Sequence, residues 1–135
     1  MGGQVPKQPL LFDKALSKVV KSGDVMYLRR SEHEVHHEVE LGVLIGKTTG
    51  RNVDSKDWKE FVEGYFIGMD FTDRELQATA KKNGSPWTLS KCQDDFFAVS
   101  GFVPADKVRN PHDLDISLKI NDKYVQRDNT RNMIF

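Results

Sequence analysis

The hydrophobic positions change period along the chain, and the changes mark out its elements. From Leu10 to Ser22, Leu11, Ala15, Leu16, Val19 and Val20 recur at helical spacing, with Lys14, Lys18 and Lys21 between them and Gly23 as a stop, which predicts a short amphipathic helix. Asp24 to Leu28 is a short β-prone run, and Arg29 to Glu34 is polar. From Val35 the period drops to two. Val35, Val39, Leu41, Val43 and Ile45 occupy alternate positions, His37 being the exception, and this predicts one strand to about Ile45 with a single face toward a core. Gly46-Lys47-Thr48-Thr49-Gly50 reads as a turn.

Beyond the turn, Asp54 or Ser55 can cap a helix carrying Trp58, Phe61 and Val62 on one side, stopped by Gly64. Tyr65 to Phe71 is too apolar for a surface loop and predicts a buried strand that ends by presenting Asp70. Thr72-Asp73-Arg74-Glu75 has the spacing of a capping box with Thr72 at the cap. Its helix would run to about Lys82, with Gly84 as a left-handed stop, and would place Arg74, Gln77, Ala78 and Lys81 on one face. Pro86 to Lys91 reads as a loop anchored by Trp87, and Phe96 to Val103 as a strand closed by Pro104. Leu114, Ile116, Leu118 and Ile120 then alternate with polar residues, Asn121-Asp122 makes a tight turn, and Lys123 to Arg127 returns as the partner strand of a hairpin. The chain closes on the apolar Asn132-Met133-Ile134-Phe135, which reads as an unfinished element.

On the central strand, Glu38 and Glu40 project opposite the apolar row. Side chains two apart on a strand lie about 6.5–7 Å from one another along the backbone, close enough to converge on one ion. Two neighbouring carboxylates repel, and a hard divalent cation such as Mg²⁺, Mn²⁺ or Ca²⁺ relieves that repulsion. Spacing alone equally admits a solvent-facing polar row on an edge strand. Arg74 and the first-turn amides of the following helix, beside Asp70, could bind an anionic group, the alternative being an ordinary solvated face.

Composition narrows the field. A chain of 135 residues is one domain by length, and 20 Lys plus Arg balance 20 Asp plus Glu, so no basic excess points to nucleic acid or an anionic membrane. The single cysteine, Cys92, excludes an internal disulfide and has no evident base partner. No apolar run reaches membrane-spanning length. The amino terminus carries Pro6 where a myristoylation signal needs Ser or Thr, and it lacks the Arg-rich, Ser-rich start of a clear transit peptide.

Three separated stretches agree with one family in content and spacing. His36-His37-Glu38-Val39-Glu40-Leu41-Gly42-Val43, Gly68-Met69-Asp70-Phe71-Thr72-Asp73-Arg74-Glu75-Leu76-Gln77 and Pro86-Trp87-Thr88-Leu89-Ser90-Lys91 resemble the fumarylacetoacetate hydrolase family, in particular its acylpyruvase branch. The resemblance runs from about Pro9 to Phe135 and implies an α+β fold: a mostly β-stranded mixed roll of the C-terminal-domain type, here incomplete, behind an extension over residues 1–8. It implies metal ligands at Glu38, Glu40 and Asp70 for Mg²⁺ or Mn²⁺, a catalytic role for Lys91, and substrate contacts at Arg74, Gln77 and Lys14. Lys14 carries Ala15 after it where relatives have proline, and the family places a loop there rather than a helix.

The activity implied is metal-dependent cleavage of a carbon–carbon bond in acylpyruvates, with oxaloacetate decarboxylation as a related reaction. A small keto acid is then the partner, with no nucleic acid and no membrane. A homodimer and a mitochondrial location are implied, the cytoplasm being the alternative. Relatives carry an amino-terminal lid with a water-activating His and Glu pair and a Gly-Thr-Pro closing loop, neither of which has a counterpart here. A second expectation therefore stands beside the first: a non-catalytic, truncated member that keeps the metal platform or associates with a full-length relative. His36 and His37 read as packing or supporting groups rather than as replacements for the missing base.

Overall fold

A computed structural model describes residues 5–29, 32–46 and 51–135. The first element is β1 (Val20–Lys21), followed by β2 (Val35–His36) and β3 (Val39–Ile45). Leu10 to Ser22 is not helical. Its backbone is irregular up to β1, and Leu11 and Leu16 are 87% and 71% exposed, so most of the apolar spacing there finds no core to face. Nor is Asp24–Leu28 a strand. The turn expected over Gly46–Gly50 lies, past Gly46, outside the described residues, as do two residues of the polar run before Val35 and the first four of the amino-terminal extension.

A 3-10 helix over Ser55–Phe61, capped by the Asp54 carboxylate accepting from the Lys56 N–H, leads into β4 (Val62–Asp70). This nine-residue strand is the spine of the sheet. It pairs antiparallel with β3 along one edge, and along the other with β6 (Phe97–Val99) and β7 (Val103–Pro104) after them in the chain, while β1 adds in parallel beyond β6. A five-stranded mixed sheet results. Its buried apolar residues include Val20, Val39 and Tyr65, joined by Phe96 just ahead of β6. The strand expected over Phe96–Val103 is thus two short ones, interrupted at Ser100–Phe102.

Between β4 and β6 lie β5 (Thr72–Asp73), α1 (Arg74–Asn83) and the one-turn α2 (Thr88–Lys91), the last within a segment expected to be a loop. Asp73, not Thr72, caps α1. Its carboxylate accepts the Leu76 N–H at 3.0 Å, while Glu75 reaches away to accept from the Glu34 N–H at 2.9 Å. Thr72 lies one residue ahead of the cap, paired to His36, and its hydroxyl accepts from the Lys91 ammonium instead. At the far end Gly84 stops the helix at φ 62°, a left-handed conformation in which its N–H satisfies terminal carbonyls.

The single strand expected from Val35 to Ile45 is broken at His37–Glu38, and the break builds the site. β3 pairs with β4, whereas β2 has changed partner and pairs with β5. The opposing chain bends at the matching place, Phe71. Across this corner the Asp70 N–H still donates to the Glu38 carbonyl at 2.8 Å, so the two residues face each other. The final hairpin, β8 (Asp115–Ile120) and β9 (Lys123–Asn129), turns through Asn121 and Asp122 at φ 47° and 63°, the paired positive values of a tight hairpin turn. It docks on β3 through Gln126, whose amide oxygen accepts the Val39 N–H at 2.8 Å as a neighbouring strand would.

Candidate functional site

The corner between β3 and β4 gathers the charged residues of the three stretches. Glu38, Glu40 and Asp70 each bring a carboxylate oxygen within 4.8 Å of the other two. Glu38 comes from the bend, Glu40 from two residues along β3, and Asp70 from the end of β4. The backbone opposite Glu40 is Gly68, so no side chain fills the space across from that carboxylate.

Three cations converge on the same place. Lys91, only 2% exposed, lies on α2 and bonds to Asp70, to the Thr72 hydroxyl at 2.7 Å and to Glu38 at 3.6 Å. Lys14 arrives from the irregular amino-terminal segment and donates to Asp70 at 2.7 Å and to the Phe71 carbonyl at 2.8 Å. Arg74, the first residue of α1, contacts Glu38 at 3.1 Å and the Gln77 amide oxygen at 2.8 Å. All seven residues singled out in the sequence therefore meet in one cluster. The helix at residues 10–22 would have set Lys14 on a regular face. A non-helical approach instead carries it in to Asp70.

Charge balance distinguishes Glu40 from its neighbours. Glu38 and Asp70 are paired with cations, whereas Glu40 makes no ion pair or hydrogen bond among the described residues. Desolvation raises its carboxyl above the usual range, and the Asp70 and Glu38 charges push the same way. Burial holds the Lys14 ammonium below the usual lysine range, with the Asp70 carboxylate offsetting only part of this. An all-oxygen set of three carboxylates, one of them without a counter-charge, fits a hard divalent cation.

Other residues of the cluster were not singled out beforehand. Thr72 accepts from Lys91, Phe12 lays its ring 4.3 Å from the Lys91 ammonium, and Trp87 packs on Phe12 at 6.0 Å between centroids. Thr72 was hidden by its resemblance to a helix cap, and Phe12 by a spacing that imitates a helix. Among the described residues His33, Asp73 and Glu75 form another group with metal-ligand spacing. There Asp73 is committed to the α1 cap and to His33 at 2.7 Å.

Comparison with known proteins agrees with this architecture. The fumarylacetoacetate (FAA) hydrolase C-terminal family matches residues 2–135, and the chain belongs to that family. It is 36% identical over its whole length to a Dictyostelium discoideum protein named mitochondrial oxaloacetate decarboxylase, covering 62% of it. It is 41% identical to a rice protein named mitochondrial oxaloacetate tautomerase FAHD2, covering 61%. The chain thus spans about three-fifths of the length of these relatives. Among solved structures, an Escherichia coli protein superposes at a TM-score of 0.88 with 34% identity, over 96% of this chain and 61% of its own. A Pseudomonas aeruginosa fumarylpyruvate hydrolase, crystallised with Mn²⁺ and pyruvate, superposes at 0.72 with 31% identity, over 82% of this chain and 48% of its own.

Proposed function

We propose that this chain carries the metal and keto-acid platform of an enzyme that acts on short 2-keto acids through their enolates, with hydrolysis of acylpyruvates as its reaction and decarboxylation of oxaloacetate as a related one. The observation that carries the reading is the convergence of Glu38, Glu40 and Asp70 within 4.8 Å beside the buried Lys91. Glu38, Glu40 and Asp70 would hold Mg²⁺ or Mn²⁺. When bound, such an ion supplies Lewis acidity toward the keto-acid oxygens and stabilises developing negative charge. Lys91, Arg74 and Gln77 surround the same space with donors for a substrate carboxylate and a forming oxyanion, and Lys14 holds Asp70 in place.

In an acylpyruvate, water adds to the distal carbonyl, the carbon–carbon bond breaks, and pyruvate leaves as its enolate to take up a proton. In oxaloacetate the same enolate follows loss of carbon dioxide. The tautomerase named among the relatives interconverts keto and enol forms of one 2-keto acid, so one enolate-stabilising platform serves all three chemistries. The relatives' mitochondrial names support the same compartment here, and the exposed apolar Met133, Ile134 and Phe135 support a homodimer.

The test is calorimetric titration of Mn²⁺ into the chain with and without oxalate, an enolate mimic, followed by deuterium exchange at the pyruvate methyl group and turnover of acylpyruvate and oxaloacetate. Saturable Mn²⁺ binding, weakened at least about tenfold by Glu40→Gln, is expected. Metal and oxalate binding without exchange or turnover would favour the non-catalytic family member. A folded chain that binds no metal sinks the platform itself.

A further inference from the structure

Arg74 is held at three points. Its Nη2 donates to Glu38 at 3.1 Å, its Nη1 to Gln77 at 2.8 Å, and its Nε to Nδ1 of His36 at 2.9 Å. A guanidinium only donates, so Nδ1 of His36 must accept and the ring hydrogen resides on Nε2. That nitrogen lies 2.6 Å from the Glu34 carboxylate, to which it donates. We propose that Glu34 and His36 are positioning residues which fix the imidazole tautomer and so aim the Arg74 guanidinium at the carboxylate of a bound keto acid.

The backbone ties the relay to its target. His36 pairs with Thr72 in the β2–β5 ladder, and the Arg74 N–H donates to the Glu34 carbonyl at 2.9 Å. The Glu34 N–H in turn donates to the Glu75 carboxylate at 2.9 Å, so the strand bearing the relay and the first turn of α1 form one unit. The side chains of Glu34 and His36 are 68% and 40% exposed, and their contacts do little for the core. Three of the five guanidinium N–H groups are engaged within the protein, leaving one on each Nη nitrogen for a planar carboxylate.

The ligand named here rests on the keto-acid reading, whereas the relay does not, and the experiment separates them. Nitrogen-15 NMR of the metal-free chain reads the relay directly: His36 in the Nε2–H tautomer and a slowly exchanging Arg74 Nε–H that His36→Ala abolishes. His36→Asn, whose Oδ1 can stand where Nδ1 stood, restores that signal. In parallel, His36→Ala weakens oxalate binding to the Mn²⁺-loaded chain about tenfold while Mn²⁺ binding alone changes less than about twofold, and His36→Asn recovers most of the loss. An Nδ1–H tautomer, an Arg74 signal indifferent to His36→Ala, unchanged oxalate affinity, or an equal loss of Mn²⁺ binding would each overturn the proposal. A wild-type chain that binds neither Mn²⁺ nor oxalate removes the keto-acid reading and the ligand with it, and the NMR signals still decide the relay.

Discussion

Removing the Lys91 ammonium leaves Asp70, itself 3% exposed, with Lys14 as its remaining cation. Breaking one side of a buried ion pair is costly, so Lys91→Met should lower stability by about 3 kcal/mol in urea unfolding without metal. Mn²⁺ should restore more stability to this variant than to the wild type, because the ion replaces the missing charge. Glu40 carries the opposite sign. Its folded-state pKa is raised, first by desolvation and then by Asp70, so its ionised form opposes folding. The penalty is absent below the unfolded-state value near 4.5 and fully present once pH exceeds the folded value. Glu40→Gln should therefore stabilise the metal-free chain at neutral pH, by less than about 0.5 kcal/mol because the residue is exposed and solvent screens it. That gain should vanish below pH 4.5 in denaturant titrations. The substitution expected to weaken metal binding is thus predicted to strengthen the metal-free fold.

At the scale of elements, β4 depends on close backbone approach. A Cβ at Gly64 would run into the Val103 carbonyl and the Phe102 ring, so Gly64→Ala should destabilise by about 1–3 kcal/mol and loosen β7 first, visible as faster hydrogen exchange at Tyr65 and Val103. The elements also show what the sequence could disclose. α1 with its Gly84 stop and the β8–β9 hairpin were legible because each carries its own periodicity and punctuation, and β4 from Tyr65 on because its run is too apolar for a loop, although Val62 to Gly64, which read as the end of a helix, open the strand. The amino-terminal segment was not. Its spacing from Leu11 to Val20 matches a helix, but a helix needs a surface to bury that stripe, and only Val20 is buried. The break at His37–Glu38 left one trace, His37 interrupting the apolar alternation, but the change of partner itself is decided by β5, distant in sequence. The seven residues that meet in the cluster were brought together as a set only by family resemblance. Local pattern offered the Glu38–Glu40 pair and a helix terminus with Asp70 and Arg74 beside it.

Over the whole molecule, apolar surface is unevenly distributed. Val43, Ile45, Met133, Ile134 and Phe135 are 45%, 57%, 52%, 59% and 65% exposed, and Leu41, Val43, Trp58, Tyr65, Met133 and Phe135 line one shared hollow. Such a surface should drive self-association, and sedimentation velocity should show species beyond the monomer at micromolar concentration. The amino-terminal segment is anchored from the other side by Asp95, 2% exposed, which accepts from the Tyr27 N–H at 2.9 Å and pairs with Lys18 at 2.7 Å. The Lys18 bond, then the Tyr27 N–H, hold its carboxyl below the ordinary value. Its contribution is therefore complete above pH 3.8 and lost as pH falls through the lower folded value, so Asp95→Asn should lower the urea midpoint at pH 7 and converge with the wild type in acid.

The depth of Lys91 has a practical corollary. An acylating reagent meets Lys7 and Lys82 on the surface at once, but reaches the Lys91 amine, 2% exposed beside the Phe12 ring, only when its surroundings open. Counting acetyl groups on Lys91 against those on exposed lysines by mass spectrometry would turn this side chain into a clock for how often the site opens, and any molecule that seats itself there would slow the clock.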